Sequence, residues 1–168
     1  MKQKIKTNLF YIIEFCLVFL IASIIPKYFA QRTYVYGHSM ENNFQNGDNV
    51  ITNKIIYRLQ SPERFDVITF YTQSNEVYIK RIIGLPNETI KINPDGTIYV
   101  NGEQLEEHFG KEPIQDPGRA SNEITLGNDE YFVLGDNRNN SIDSRFDEVG
   151  NIKTDDIIGR VKHENMTY

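Results

Sequence analysis

The stretch Val77-Tyr78-Ile79-Lys80-Arg81-Ile82-Ile83-Gly84 constrains this chain more than any other. Seven β-branched, aromatic and basic residues, closed by Gly84 and Pro86, predict a strand with a firm stop. Side chains alternate across a strand, so Lys80 shares a face with Tyr78 and Ile82, and Arg81 shares the other with Ile79 and Ile83. Both faces are mostly apolar, which predicts burial on both sides. A lysine held there loses hydration, and its pKa falls towards that of a neutral amine, which is a base. The alternative is a lysine that snorkels to the sheet edge and keeps its ammonium in water.

The 168 residues suit one domain with a short appendage, and 39% hydrophobic with 24% charged residues is an ordinary globular composition. One cysteine, Cys16, excludes an internal disulfide and a Cys-rich metal site, and three scattered histidines (His38, His108, His163) argue against zinc. The expectation is no metal and no cofactor. Charge is uneven: residues 1–30 carry a net +3 and residues 31–168 a net −8. An acidic body without a basic stripe argues against nucleic acid as a partner.

The basic end precedes an apolar run. Lys2, Lys4 and Lys6 lead into residues 9–25, whose only charge is Glu14. Seventeen residues of helix span roughly 25 Å, just under a hydrocarbon core. Pro26-Lys27 ends the run, and Tyr28 to Ala30 can extend it at the interface. A cleaved signal peptide needs small residues one and three positions before the cut, which Tyr28 spoils before Ala30. A core helix of a soluble domain would not be apolar on nearly all sides. The favoured reading is an uncleaved anchor over residues 9–30 in a lipid bilayer. Residues 1–8 then form a basic cytoplasmic tail, and residues 31–168 lie outside the membrane.

Short strands follow at residues 31–36, 49–53, 65–71, 77–83, 90–92, 97–100, 130–134 and 156–161, separated by turn signals such as Asn46-Gly47-Asp48 and Asn93-Pro94-Asp95-Gly96. Residues 103–123 are polar, with Pro113 and Asp116-Pro117-Gly118, and read as a surface excursion or small subdomain. The fold expected is mainly β, a domain of short antiparallel strands after one N-terminal transmembrane helix.

The chemistry centres on Ser39, 41 residues before Lys80. A serine hydroxyl is a weak nucleophile until a base takes its proton, and a neutral lysine can do this. The amine pKa must fall by roughly three units from about 10.4, on the order of 4 kcal/mol, which burial can supply. Ser-Lys pairs are a recognised variant of the catalytic triad. Fully extended, the chain from Ile25 to Ser39 reaches at most roughly 50 Å, so this chemistry lies close to the membrane. His38 adjoins Ser39 but points to the opposite side in an extended backbone, as a wall or surface residue.

Four stretches then occur in order: Gly37-His38-Ser39-Met40, Gly47-Asp48-Asn49-Val50-Ile51, Tyr78-Ile79-Lys80-Arg81-Ile82-Ile83-Gly84-Leu85-Pro86, and Gly135-Asp136-Asn137-Arg138 with Ser141, Asp143, Ser144 and Arg145. With the preceding apolar run they resemble the successive motifs of type I signal peptidases (leader peptidases), in the small single-anchor form typical of Gram-positive bacteria. The resemblance covers nearly the whole chain. It implies a signal-peptidase-like β fold and a membrane-anchored serine endopeptidase that removes signal peptides from exported preproteins. By that resemblance Ser39 is the nucleophile, Lys80 the general base, and Ser141 a hydrogen-bond partner of the lysine amine. The Ser39 N–H is an oxyanion donor, while a second donor found in some relatives falls at Gly37 and is missing. Met40 packs against the nucleophile turn. Asp136, Arg138, Asp143 and Arg145 are structural, paired with each other or with Arg81.

Two departures stand out. The family usually continues Ser-Met-x-Pro-Thr where this chain has Asn42-Asn43, which implies a looser nucleophile turn. It usually has Pro-Gly-Asp where this chain has Pro86-Asn87-Glu88. Other readings are a catalytically weakened scaffold that binds or assembles proteins, a dedicated peptidase for a few exported substrates, and a self-cleaving repressor-type protease. The last normally carries a DNA-binding domain in place of an anchor.

Overall fold

A computed structural model describes residues 2–163. Helix α1 (Lys2–Tyr28) runs on through Pro26 and is followed almost directly by β1 (Ala30–Tyr34). Its described side chains, from Phe10 to Ile24, are exposed, and large apolar residues stand on every side of it. Among the described residues, no helix is long and apolar enough to cross a membrane. The side chains of Lys2, Lys4 and Lys6 lie outside the described residues.

The body is two antiparallel sheets. After β1 come β2 (Asn49–Asn53), the one-turn helix α2 (Ile56–Leu59), β3 (Val67–Tyr71), β4 (Val77–Gly84), β5 (Thr89–Ile92), β6 (Ile98–Val100), β7 (Glu103–Gln104), β8 (Ile124–Thr125), β9 (Glu130–Leu134), β10 (Ile152–Lys153) and β11 (Ile157–His163). The larger sheet has the order β1-β2-β11-β3-β4-β9-β10, and the smaller β7-β6-β5-β8. The mainly-β expectation therefore holds, with strands close to those predicted. The first strand ends at Tyr34 rather than at 36.

β4 lies between β3 and β9, with Lys80 opposite Ile68 and Arg81 opposite both Val67 and Leu134. On the Lys80 side, Ile82 packs with Ile68, Phe70, Val133 and Val149. On the other side, Ile83 packs with Ile90, Ile92, Phe132 and Leu134 between the two sheets. A third cluster joins Val35, Met40 and Phe44 to Val50, Val67 and Val161, so Met40 does pack beneath the turn that follows β1. The β4–β9 pairing begins only at Arg81, which leaves residues 77–80 with an open edge on that side.

Residues 103–123 are not a free surface excursion. Ile114 and Ala120 are buried in the cluster between the sheets, and Leu105 packs against it. Three apolar residues spread through a polar stretch have no period to read, yet they fasten the segment across the body.

β11 carries an irregularity between Ile157 and Gly159 where it meets β3. A Cβ on Gly159 would stand 2.3 Å from the Asn53 carbonyl oxygen. Backbone cannot yield as a side-chain tip can. Gly159→Ala is expected to lower stability by about 1–3 kcal/mol, read as a lower urea midpoint for the full chain in detergent micelles.

Candidate active site

Ser39 and Lys80 meet. The Lys80 Nζ lies 2.7 Å from the Ser39 Oγ. Lys80 is only 4% exposed, so the snorkelling alternative does not hold. Burial pushes the amine down to about 8 from 10.5, while the nearby charges of Asp143 and Asp136 partly offset this and Arg145 adds to it. The Tyr78 ring lies 5.2 Å from the amine.

The surrounding buried charges are matched in pairs. Arg81 grips Asp136 with two hydrogen bonds, Nε to Oδ1 at 2.8 Å and Nη2 to Oδ2 at 2.7 Å. Arg145 holds Asp143 through Nε at 2.8 Å and Nη2 at 3.0 Å. Arg138 does not join these acids. Its partner is Glu107, at 2.9 Å, from the segment expected to be a surface excursion. Planar guanidinium forks suit such buried carboxylates. Among the described residues Lys80 forms no ion pair, and the two acids whose charges reach it are each paired with an arginine.

Ser141 departs from expectation. Its hydroxyl donates to the Asp143 Oδ2 at 2.8 Å, not to the lysine amine. An ionised carboxylate is the stronger acceptor, and Asp143 also takes the Gly135 N–H at 3.0 Å. Ser141 thus belongs to the loop that frames Lys80 and is bonded to Asp143, whose charge acts on the amine.

The nucleophile turn is fixed by residues that the sequence reading did not single out. The Asn137 N–H donates to the Ser39 carbonyl at 2.9 Å, and its side-chain amide donates to the His38 carbonyl at 3.0 Å. Gly135 permits this approach: a Cβ there would lie 2.3 Å from the Ser141 Oγ and 2.5 Å from the Ser39 carbonyl oxygen. Phe109 lays its ring 3.9 Å from the Arg81 guanidinium. The Lys111 N–H donates to the Asp136 carbonyl at 2.9 Å. Among the described residues the Ser39 N–H donates no hydrogen bond, which leaves it available to an oxyanion.

The expected loosening at Asn42-Asn43 is not found. Asn42 has a φ of +105°, and the Asn43 N–H closes the turn onto the Met40 carbonyl at 3.2 Å. That is the turn position where Asn or Gly is favoured, and a proline ring, fixed near −65°, cannot occupy it. Asn43 then donates to the Asp136 Oδ2 at 2.8 Å, tying the turn to the Arg81 pair. Asn87 likewise takes a φ of +65°, and Glu88 accepts the Leu85 N–H and both terminal nitrogens of Arg64. Both departures are built into the local backbone.

A groove of about 900 Å³ leads to Ser39 and Lys80. Its walls are β1 with the turn after it, residues 77–80 of β4, and residues 139–142. β1 is an edge strand, and residues 77–80 have an open edge, so backbone hydrogen-bonding groups line both sides. His38 is exposed beside it and bonded to Glu41. Among the described residues, no group of three or more His, Cys, Asp or Glu could hold a metal ion.

The family model described as signal peptidase, peptidase S26, matches residues 9–164. A probable signal peptidase I-2 of Synechocystis sp. is 36% identical over 143 residues, which cover 81% of this chain and 63% of that protein. Signal peptidase I V of Bacillus subtilis is 38% identical over 74% of this chain and 79% of its own length. Signal peptidase IB of Staphylococcus aureus is 33% identical over 93% of this chain and 88% of its own length. A crystal structure of a signal peptidase I from Enterococcus faecalis V583 superposes with a TM-score of 0.49 at 33% identity, covering 61% of this chain and 98% of that one.

Asn42→Gly is expected to keep the turn, whereas Asn42→Pro should cost more than about 1 kcal/mol of stability, both read by urea denaturation. Lys80→Met should stabilise the fold at neutral pH. The amine titrates at about 8 when folded and 10.5 as a free side chain, so its buried charge is a penalty below pH 8 that fades as pH rises towards 10.5. The gain is on the order of 3 kcal/mol at pH 7, and the wild-type and Met curves should converge at high pH.

Proposed function

The chain belongs to the signal peptidase, peptidase S26, family, and on that premise we propose that it is a membrane-anchored serine endopeptidase that cuts signal peptides from exported preproteins. The single observation that carries this reading is the 2.7 Å contact between a nearly buried, ion-pair-free lysine amine and the Ser39 hydroxyl. The neutral Lys80 amine takes the hydroxyl proton as Ser39 Oγ attacks the scissile carbonyl carbon. The oxyanion that forms is met by the Ser39 N–H, with open space beside Gly37 where a hydroxyl would stand in some relatives. Lys80 passes its proton to the leaving amine. A water, deprotonated in turn by Lys80, then hydrolyses the acyl-enzyme ester and restores both groups.

The substrate lies extended between β1 and the open edge at residues 77–80, and main-chain hydrogen bonds hold it. Shallow pockets accept small side chains one and three residues before the cut. The anchor is α1. Its 27 residues reach about 40 Å at 1.5 Å each, and its exposed apolar side chains, unusual for a soluble surface, support a lipid environment. With the lysines of residues 1–8 cytoplasmic, the body lies outside. β1 starts two residues after α1 ends, which keeps Ser39 near the bilayer.

Cleavage of a fluorogenic signal-peptide substrate in detergent micelles tests this reading. Wild type should cut after a small residue, and Ser39→Ala and Lys80→Ala should each lose at least about a thousandfold in kcat. Because the working form is the neutral amine, kcat/KM should rise with pH up to an inflection near 8. Wild-type protein inert towards authentic preproteins would make the chain a binding scaffold instead.

A further inference from the structure

The groove does not end at Ser39. His38 lines it and also lines a second depression of about 540 Å³ on its far side, walled by Glu41, Asn42, Gln45, Asn46 and Lys111. The two differ in chemistry. The first contains Val35, Ile79, Ile142 and Phe146, whereas the second has no apolar side chain. Because the two depressions share His38, a peptide with its carbonyl at Ser39 and its preceding residues in the first groove can continue past His38 into the second.

We propose that this second depression binds the first residues after the scissile bond, and that it favours chains with an acidic side chain within three residues of the cut. The proposal rests on the peptidase reading above and adds a specificity on the leaving side.

The charge preference follows from which groups already have partners. Glu41 is the only acid there, and both its oxygens are engaged. Oε1 pairs with His38 Nδ1 at 2.5 Å, and Oε2 accepts from Lys111 Nζ and from the Asn137 amide, each at 3.4 Å. The His38 hydrogen bond, ahead of Lys111, holds the Glu41 carboxyl below the usual carboxylate range, so it remains an occupied anion. Asn42 and Gln45 offer side-chain amides that can donate or accept, and the charged group left open is a donor. Lys111, with its side chain 44% exposed, spends one N–H on Glu41 and keeps two. The Asn46 side-chain Oδ1 accepts the Gly37 N–H at 3.0 Å, which leaves its side-chain NH2 as the group to donate. An incoming carboxylate meets the free N–H groups of Lys111, while an incoming ammonium meets Lys111 as a like charge and an acid already bonded by His38, Lys111 and Asn137.

The site is also preorganised. Lys111 is tied through its own N–H to the Asp136 carbonyl, and its neighbour Gly110 lies against the buried Arg138 side chain. The Lys111 backbone is therefore fastened to the loop that also holds the Ser39 carbonyl, and Glu41 draws its ammonium towards the depression.

The experiment uses the full chain in detergent micelles. Peptide series carry Asp, Asn or Lys at the first, second or third position after the cut and are otherwise identical. A partly exposed ion pair predicts about threefold higher kcat/KM for Asp than for Asn at one of these positions, with Lys lowest. The Asp-to-Lys ratio, normalised within each protein, should reverse in Lys111→Glu and persist in Lys111→Arg. High salt should flatten it. A wild-type ratio of one at all three positions, with the Asn peptides still cut, overturns the proposal and leaves the peptidase reading intact. So does a wild-type preference that survives Lys111→Glu. Failure of wild type to cut any Asn peptide overturns both.

Discussion

A lysine ammonium taken out of water is costly unless a carboxylate meets it, and at Lys80 every nearby carboxylate is already taken. Asp136 is gripped by Arg81, and Asp143 by Arg145, so each neighbouring acid arrives with its own cation. Their charges reach the amine only as partial compensation, and burial prevails. The rest of the site depends on this imbalance. On the proposed reading it makes an ordinary side chain a base near neutral pH. It also explains why strand β4 must be covered on both faces, since a wetter position would return the lysine to its usual charge.

The paired charges have a second use, which is to hold loops. The Ser39 turn, the loop after β9 and the segment around residues 107–111 carry little regular structure, yet each is fastened to the others by bonds that are remote in sequence. Asn43 reaches Asp136, Asn137 reaches His38, and Glu107 reaches Arg138. On the proposed reading, a serine hydroxyl 2.7 Å from its base needs that restraint, because a displacement of about 1 Å costs on the order of a hundredfold in rate. Gly135 lets two of these loops approach closely, and the buried Arg145 closes the framework beneath them.

Much of this was legible in the sequence. The strands at residues 49–53, 77–84 and 130–134 were readable because β-branched runs bounded by turn residues have few other ways to fold. The pairing of Ser39 with Lys80 was suggested by the order and spacing of four motifs that resemble those of type I signal peptidases, whereas the apolar strand alone left a snorkelling lysine open. What escaped were partners. Asn137 acts through its backbone and a single amide, Glu107 sits in a polar stretch without period, and Ser141 answers to the strongest nearby acceptor instead of the amine. The Asn42 turn was misjudged because the lost proline suggested freedom. Its positive φ shows a different turn, one that proline could never have made.

The most direct test of the account is the titration of Lys80 itself, followed by the 13Cε signal of isotope-labelled lysine in the full chain in detergent micelles and assigned by its loss in Lys80→Arg. The account predicts an inflection near pH 8, well separated from the other lysines. A Lys80 signal that titrates with them, near 10.5, would contradict it: the neutral amine at pH 7 would fall from about a tenth of the molecules to well under a thousandth, and Ser39 would have almost no base.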